Sequence, residues 1–236
     1  MSYYVAVSGR KEHGKTTLAH KIRKLLRAIG IEAQLIGLSD PMYAMAKLLV
    51  DDPDLDKYKT YQIAEIPEVT IHKMVAILVG EDPLCIEEFP QGYTVRWRHT
   101  YSILDHKTLP IQEIIEKFKA ALVEHCCNLS LTGTEVLQKL GTECSRDVFG
   151  EEVWNHRLQK SVRDAGNPTV VLVADCRVPV ERKMMNLGIY VIADGVETTQ
   201  NTAHRSEDHH RYLEQQADLI FRRNGSKYTI EFPQEE

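Results

Sequence analysis

The 236-residue chain has no apolar run approaching the roughly 18 residues that span a bilayer. Its start, MSYYVAVSGR, carries no charged segment ahead of a long apolar core, so it reads as a strand and not as a secretory signal. Cysteine is sparse: Cys85, Cys126, Cys127, Cys144 and Cys176 form an odd set with no Cys-x-x-Cys. That excludes a disulfide framework and a zinc ribbon and predicts reduced, buried thiols. There is no basic excess either. At a net charge of −5 no global surface recruits a nucleic acid polymer, and any anion site must be a local basic pocket. Repeats and low-complexity linkers are also missing. These absences predict a soluble, cytoplasmic protein that engages neither membrane nor nucleic acid.

What is present is ordinary globular material, 43% hydrophobic and 27% charged, enough for one α/β domain with an insertion. Tyr3 to Val7 reads as a strand. Leu18, Ile22, Leu25, Leu26 and Ile29 repeat at helical spacing and stop at Gly30. Ala33 to Leu38 reads as a second strand, and Ser39-Asp40-Pro41 opens a second helix. This is the β-α-β-α rhythm of a parallel sheet. Residues 51–110, rich in prolines and acids, read as an insertion with a short helix at Glu68 to Val79 and a hairpin strand in YTVRWRHTYSIL. Helices follow at about 110–126, 134–148 and 151–164. PTVVLVADCR is a continuous apolar run, as a central parallel strand requires. A helix over 178–186, the strand GIYVIAD and a last core strand, ADLIFRRNG, complete the pattern. The polar segment between those two strands, about 196–212, reads as a lid that closes over phosphates or as a plain solvated loop.

The most informative stretch is Gly9-Arg-Lys-Glu-His-Gly14-Lys15-Thr16, a complete G-x-x-x-x-G-K-[ST] between a predicted strand and a predicted helix. The glycines let backbone N–H groups turn inward around a di- or triphosphate. Lys15 reaches the β- and γ-phosphates, the Thr16 hydroxyl coordinates Mg²⁺, and the helix N-terminus faces the anion. Such a loop serves GTPases, motors and small kinases alike. The base-reading N-K-x-D of GTPases is not in this chain. Transfer to a small acceptor needs a second anion site and further cations. Asp175 and Arg177 end the central strand, at the sheet edge where ligands bind. Asp175 can hold a Mg²⁺-bound water there, and Arg177 can bind acceptor phosphate or transition-state charge, unless the two simply form a strand-end ion pair. Gly141, inside a helix, points to close approach by a ligand or by a neighbouring helix. Arg96 to His99 (RWRH) can stack a base or form an exposed hairpin.

SGRKEHGKTT, LSDPMYAMAK, LQKLGTECSRDVFGEEVW, VADCRVPVERKMMNLGIYVIADG and HRSEDHH…ADLIFRRNGS occur in an order that resembles the deoxynucleoside monophosphate kinases of tailed bacteriophages, within the P-loop nucleoside monophosphate kinase superfamily. The resemblance covers most of residues 3–50 and 134–226. It implies a single P-loop NTPase-type domain over 1–236, a three-layer α/β/α fold with a parallel central sheet, an inserted acceptor-binding region at about 51–110 and a lid at about 196–212. The implied reaction is transfer of the ATP γ-phosphate to a (deoxy)nucleoside monophosphate, with Mg²⁺. Gly9, Lys11, His13, Gly14, Lys15, Thr16 and Thr17 would contact ATP, with Lys11 bridging toward the acceptor phosphate. Arg205, beside His204 and Glu207, would act from the lid, and Asn224 and Gly225 at the adenine. Asp40, Lys47, Gly141, Thr142, Arg146, Trp154 and Arg177 would line the acceptor side. Lys15, Arg146, Asp175 and Arg177 would be catalytic, and Thr16 and Asp175 would serve the metal. The resembled kinases often carry an arginine just before the LQ-x-LGT helix, where this chain has Thr134 and Glu135; Arg96, Arg98 or Arg157 are the candidates to replace it. A homodimer is compatible with the resemblance and with nothing else in the sequence. The other readings are a kinase of another phosphorylated acceptor, such as phosphomevalonate, and a nucleotide-binding module without an acceptor.

Overall fold

A computed structural model describes residues 2–10, 12–89, 92–104, 107–196 and 209–233. The chain divides into two compact units, Met1–Leu38 with Leu158–Glu236, and Ser39–Arg157. The second unit is broader than the insertion expected at 51–110.

The first unit opens with β1 (Tyr3–Gly9), α1 (Lys15–Ala28) and β2 (Ala33–Leu35). The chain then builds the second unit from α2 (Asp40–Val50), β3 (Thr60–Ile63), α3 (Glu68–Val79), β4 (Cys85–Phe89), β5 (Gly92–Arg96), β6 (Thr100–Leu104), β7 (Lys107–Pro110), α4 (Ile111–His125), β8 (Leu129–Thr132), α5 (Gly133–Gly141) and α6 (Asp147–Phe149). Helix α7 (Val153–Asp164) begins in the second unit and ends in the first. The first unit resumes with β9 (Val170–Val173), α8 (Pro179–Lys183), β10 (Leu187–Ala193), α9 (His210–Gln215), β11 (Leu219–Asn224) and β12 (Lys227–Glu231).

The fold of the first unit is mixed α/β around a six-stranded sheet of order β12-β11-β10-β1-β9-β2. All neighbours are parallel except the β11–β12 hairpin. β1 lies between β9 and β10 and is buried from Val5 to Gly9, which is why it reads as an unbroken apolar run. Leu18 and Ala19 of α1 pack with Val5, Val7, Leu172, Ile189 and Val191, and Ile22 packs against that cluster. The predicted face of α1 ran on to Leu25 and Ile29, yet these are 68% and 72% exposed. Leu25 and Ile29 therefore stay out of the core, while Leu26 between them is half-buried. Gly30, at φ +81, ends the helix as expected.

In the second unit α2 packs on α3 and α5, and α3 on α4. Met45, Ile71, Met74, Ile114, Phe118, Val136 and Leu140 are buried there. The short helix expected at Glu68 to Val79 is α3, with the same bounds. YTVRWRHTYSIL is not one strand: it contributes to two hairpins, β4–β5 and β6–β7. Between them the Trp97 Nε1–H donates to His72 Nδ1 at 3.0 Å, and the indole meets Tyr101 edge-on. The predicted helix over 134–148 is α5, a five-residue π turn (Thr142–Arg146) and α6. The helix predicted over 178–186 is only the five residues of α8. Among the described residues no helix is long and apolar enough to cross a membrane.

Candidate functional site

The glycine loop leaves β1 at the C-terminal edge of the sheet and enters α1. Gly9 has φ +143, and a Cβ there would lie 2.5 Å from the Val191 carbonyl oxygen of β10. The strand can therefore approach β10 this closely only without a side chain. Gly14 caps α1 from the left-handed region, at φ +89, and Glu12 is also left-handed, at φ +66. Lys15 folds back along the loop, its Nζ donating to the Arg10 carbonyl at 2.8 Å. Thr16 and Thr17 are exposed on the first turn. His13 turns inward: Nδ1 lies 3.2 Å from the Val191 carbonyl oxygen and 3.3 Å from the Ala193 amide. Either neutral tautomer makes one of those bonds and ties the loop to β10. Burial chiefly, and then the charges of Lys15 and Arg10 and the nearby His210, hold the His13 pKa below its usual value, against the opposing pull of the Val191 carbonyl. His13 Nε2 is buried with no hydrogen-bond partner among the described residues.

Asp175 and Arg177 follow β9, the strand beside β1. Asp175 Oδ1 accepts the Leu38 N–H at 2.8 Å, which fixes the carboxylate at this edge. Glu181 of α8 is 1% exposed, and its Oε2 accepts the Arg177 N–H at 2.7 Å and the Val178 N–H at 3.2 Å. It caps the turn from which the Arg177 side chain emerges exposed. Between them Cys176 is buried beside Ser8, and burial pushes its thiol pKa up. The described residues gather no group of three acids, histidines or cysteines. Thr16 and Asp175, the residues that would serve Mg²⁺, offer a hydroxyl and a carboxylate oxygen, the donor types this ion takes alongside phosphate and water.

Asn224 and Gly225 sit at the exposed tip of the β11–β12 hairpin. One residue earlier, Arg223 does what the sequence reading missed. Its Nη1 lies 2.5 Å from the position of a Gly14 Cβ, and the Tyr228 hydroxyl lies 3.3 Å from it. The signal was there in the period of two: Phe221 faces the core, so Arg223 shares that face.

The second unit carries the other expected residues. Asp40 and Lys47 are exposed on α2. A Gly141 Cβ would lie 2.5 Å from Met42 Sδ, so this glycine answers to helix packing by α2. The Gly141 carbonyl accepts the Trp154 Nε1–H at 2.9 Å, and Trp154 is fully enclosed. The indole thus braces the turn that begins at Thr142. Thr142 and Arg146 lie at the two ends of that π turn, closed by the Asp147 N–H donating to the Thr142 carbonyl, and both are buried. A π turn was not foreseen, and such turns concentrate at functional sites. Cys144, within it, lies 4.0 Å from Cys126; their shared hydrogen bond and burial push the Cys144 thiol up.

Thr134 and Glu135 are used locally. Thr134 Oγ1 donates to the Lys57 carbonyl at 3.1 Å. Glu135 closes a capping box with Thr132, accepting its N–H at 2.7 Å and returning its own N–H to Thr132 Oγ1. Of the candidate replacement arginines, Arg98 pairs with Glu81 at 3.3 Å, and Arg157 Nε donates to the Ile77 carbonyl at 2.9 Å. Arg96 is exposed on β5. Lys11 and the residues expected in a lid, His204, Arg205 and Glu207, lie outside the described residues.

Compared with models of known protein families the chain matches none, and no curated protein is found similar to it.

Proposed function

We propose that the chain is an ATP-dependent kinase of a (deoxy)nucleoside 5'-monophosphate, working in the cytoplasm on a P-loop-type three-layer scaffold. The observation that carries the reading is the glycine loop between β1 and α1, with Lys15 laid along it and Asp175 following the neighbouring strand β9 at the same sheet edge. Gly9 to Thr17 would hold the donor triphosphate. Mg²⁺ would supply charge neutralisation on the β- and γ-phosphates. In the second unit, Arg146 and Thr142 of the π turn, with Asp40 and Lys47 of α2, form the acceptor-side set that the motif order implies.

The reaction needs no nucleophilic side chain. A phosphate oxygen of the acceptor attacks the γ-phosphorus, the bond to the bridging β,γ-oxygen breaks, and ADP leaves with its electrons. The chain's part is alignment and cationic stabilisation, from Lys15 and Arg177 in the first unit, with Arg146 the catalytic cation that the motif order implies in the second.

The test is ADP release from ATP-Mg²⁺ against a panel of deoxynucleoside monophosphates, ribonucleoside monophosphates and phosphomevalonate. Stimulation by a deoxynucleoside monophosphate is expected, and Lys15→Ala should lower that turnover by about 100-fold or more while the melting temperature stays near wild type. Stimulation by phosphomevalonate alone would move the assignment to that acceptor class. ATP binding that no acceptor accelerates would leave a nucleotide-binding module.

A further inference from the structure

One cation beside the loop has no role in the reading so far. We propose that Arg223 is a further ligand of the donor nucleotide's phosphate chain, a guanidinium that β11 delivers to the anion held by the Gly9 to Thr16 loop. The inference rests on the donor-site reading above and extends it to a strand the motif does not include.

Four observations carry it. Arg223 lies against Gly14 so closely that any side chain on Gly14 would collide with Nη1, and its Cδ is 3.3 Å from the same point. Gly14 is the residue whose left-handed turn presents Lys15 and the start of α1. The guanidinium is thus packed onto the loop itself. Second, its Nε is buried, and among the described residues it has no hydrogen-bond partner and no carboxylate forms an ion pair with the guanidinium. The neighbouring Arg222 behaves as an ordinary strand arginine, its Nε donating to Glu231 at 2.7 Å. Arg182 likewise reaches Asp218 at 2.8 Å. A partly desolvated guanidinium with no counter-charge is unfavourable until an anion arrives. Third, the hairpin that bears Arg223 is fastened to α1. Lys21 Nζ donates to the Ser226 carbonyl at 3.2 Å and lies 4.7 Å over the Tyr228 ring. Phe221 and Tyr228 anchor the same face in the core. Fourth, the Tyr228 hydroxyl, 3.3 Å from the Gly14 Cβ position, is buried without a partner among the described residues and is a second donor at the same spot.

A planar fork of N–H donors suits phosphate oxygens better than a lysine's point charge does. The chemistry at this place is a polyphosphate, held by its charge and geometry.

The experiment is calorimetric titration of the full chain with ATP-Mg²⁺ and with inorganic tripolyphosphate, in wild type, Lys15→Ala, Arg223→Gln and Arg223→Met. Both Arg223 variants should bind ATP-Mg²⁺ and tripolyphosphate about 10-fold or more weakly than wild type, the scale of one charge-assisted contact. Their ligand-free melting temperatures should match or exceed wild type, because an unpaired guanidinium is removed. Binding within twofold of wild type in a folded Arg223 variant overturns the proposal. Loss of binding in Lys15→Ala, with Arg223→Gln unchanged, would leave the donor site standing and remove Arg223 alone. A wild-type chain that binds neither probe refutes the donor-site reading, and this proposal with it. Should neither Arg223 variant fold, the Nε–Hε NMR signal of Arg223 in the wild type decides: it should shift on adding ATP-Mg²⁺, and an unmoved signal overturns the proposal.

Discussion

At Gly9 the chain has room for a hydrogen and nothing larger. The Val191 carbonyl oxygen stands 2.5 Å from where a Cβ would go, and φ is +143. Alanine there meets rigid backbone and a strained conformation together, so Gly9→Ala should cost roughly 2–5 kcal/mol of stability. Gly141 is a different case. Its φ is −72, an ordinary helical value, and the atom in the way is Met42 Sδ, near the end of a flexible side chain. Helix propensity returns about 1 kcal/mol of what the displaced thioether takes. Gly141→Ala should therefore stay within about 1 kcal/mol of wild type. Urea unfolding of the two variants checks both, and a Gly9→Ala midpoint equal to that of Gly141→Ala would contradict the packing argument. The motif made Gly9 legible, since G-x-x-x-x-G-K-[ST] requires it. It could not say whether Gly141 faces a ligand or Met42, because that depends on how α2 meets α5. Arg223 was hidden for a similar reason: strand alternation placed it on a face, but only the fold puts that face beside Gly14.

Among the elements, those whose signals are local were readable. Helix α3 has Pro67 before it and Gly80 after it, and the structure ends it at Val79, as read. The Thr132-x-x-Glu135 capping box opens α5 one residue from where periodicity set it. The π turn was not readable, since a change from i−4 to i−5 bonding leaves the apolar spacing nearly intact. Helix α8 shows an element set by a single buried group. Its five residues are too few to be stable alone. The Glu181 carboxylate, almost fully enclosed, accepts both the Arg177 and Val178 N–H groups. Truncation would strand two donors, so Glu181→Ala should lose roughly 2–5 kcal/mol by urea unfolding. Glu181→Gln keeps an acceptor oxygen of the same reach but loses its charge, and should cost about half as much. Equal stability of Glu181→Ala and wild type would show that α8 is held by its apolar contacts instead.

Across the whole molecule, one histidine in each of the two units has, among the described residues, its pKa held below the usual value. His13, in the first, is shifted down by burial and then by Lys15, Arg10 and His210, with the Val191 carbonyl pulling the other way. His72, in the second, is shifted down by burial and Lys119, with Glu68 opposing. Its Nδ1 accepts the Trp97 N–H, a bond that a second ring proton would break. His13 Nε2 has no partner among the described residues to receive a new N–H. Both folded pKa values lie below the unfolded value of about 6.5. Above that pH both states are neutral, and these groups make no difference. As pH falls below about 6.5 the unfolded chain takes up the proton first, so the folded state loses stability until its own histidines titrate. The loss is at most about 1.4 kcal/mol per pH unit for each histidine. The depressed carboxyl groups of Asp52 and Glu135 act only in a more acidic range, near and below their usual values, so they do not confuse this window. The melting temperature should therefore fall steadily from pH 7 to pH 5.5. His13→Gln and His72→Gln should each remove part of that slope whatever they do to stability at pH 7.5, and the double variant should be nearly flat. A double variant that keeps the wild-type slope would assign the acid sensitivity to other groups.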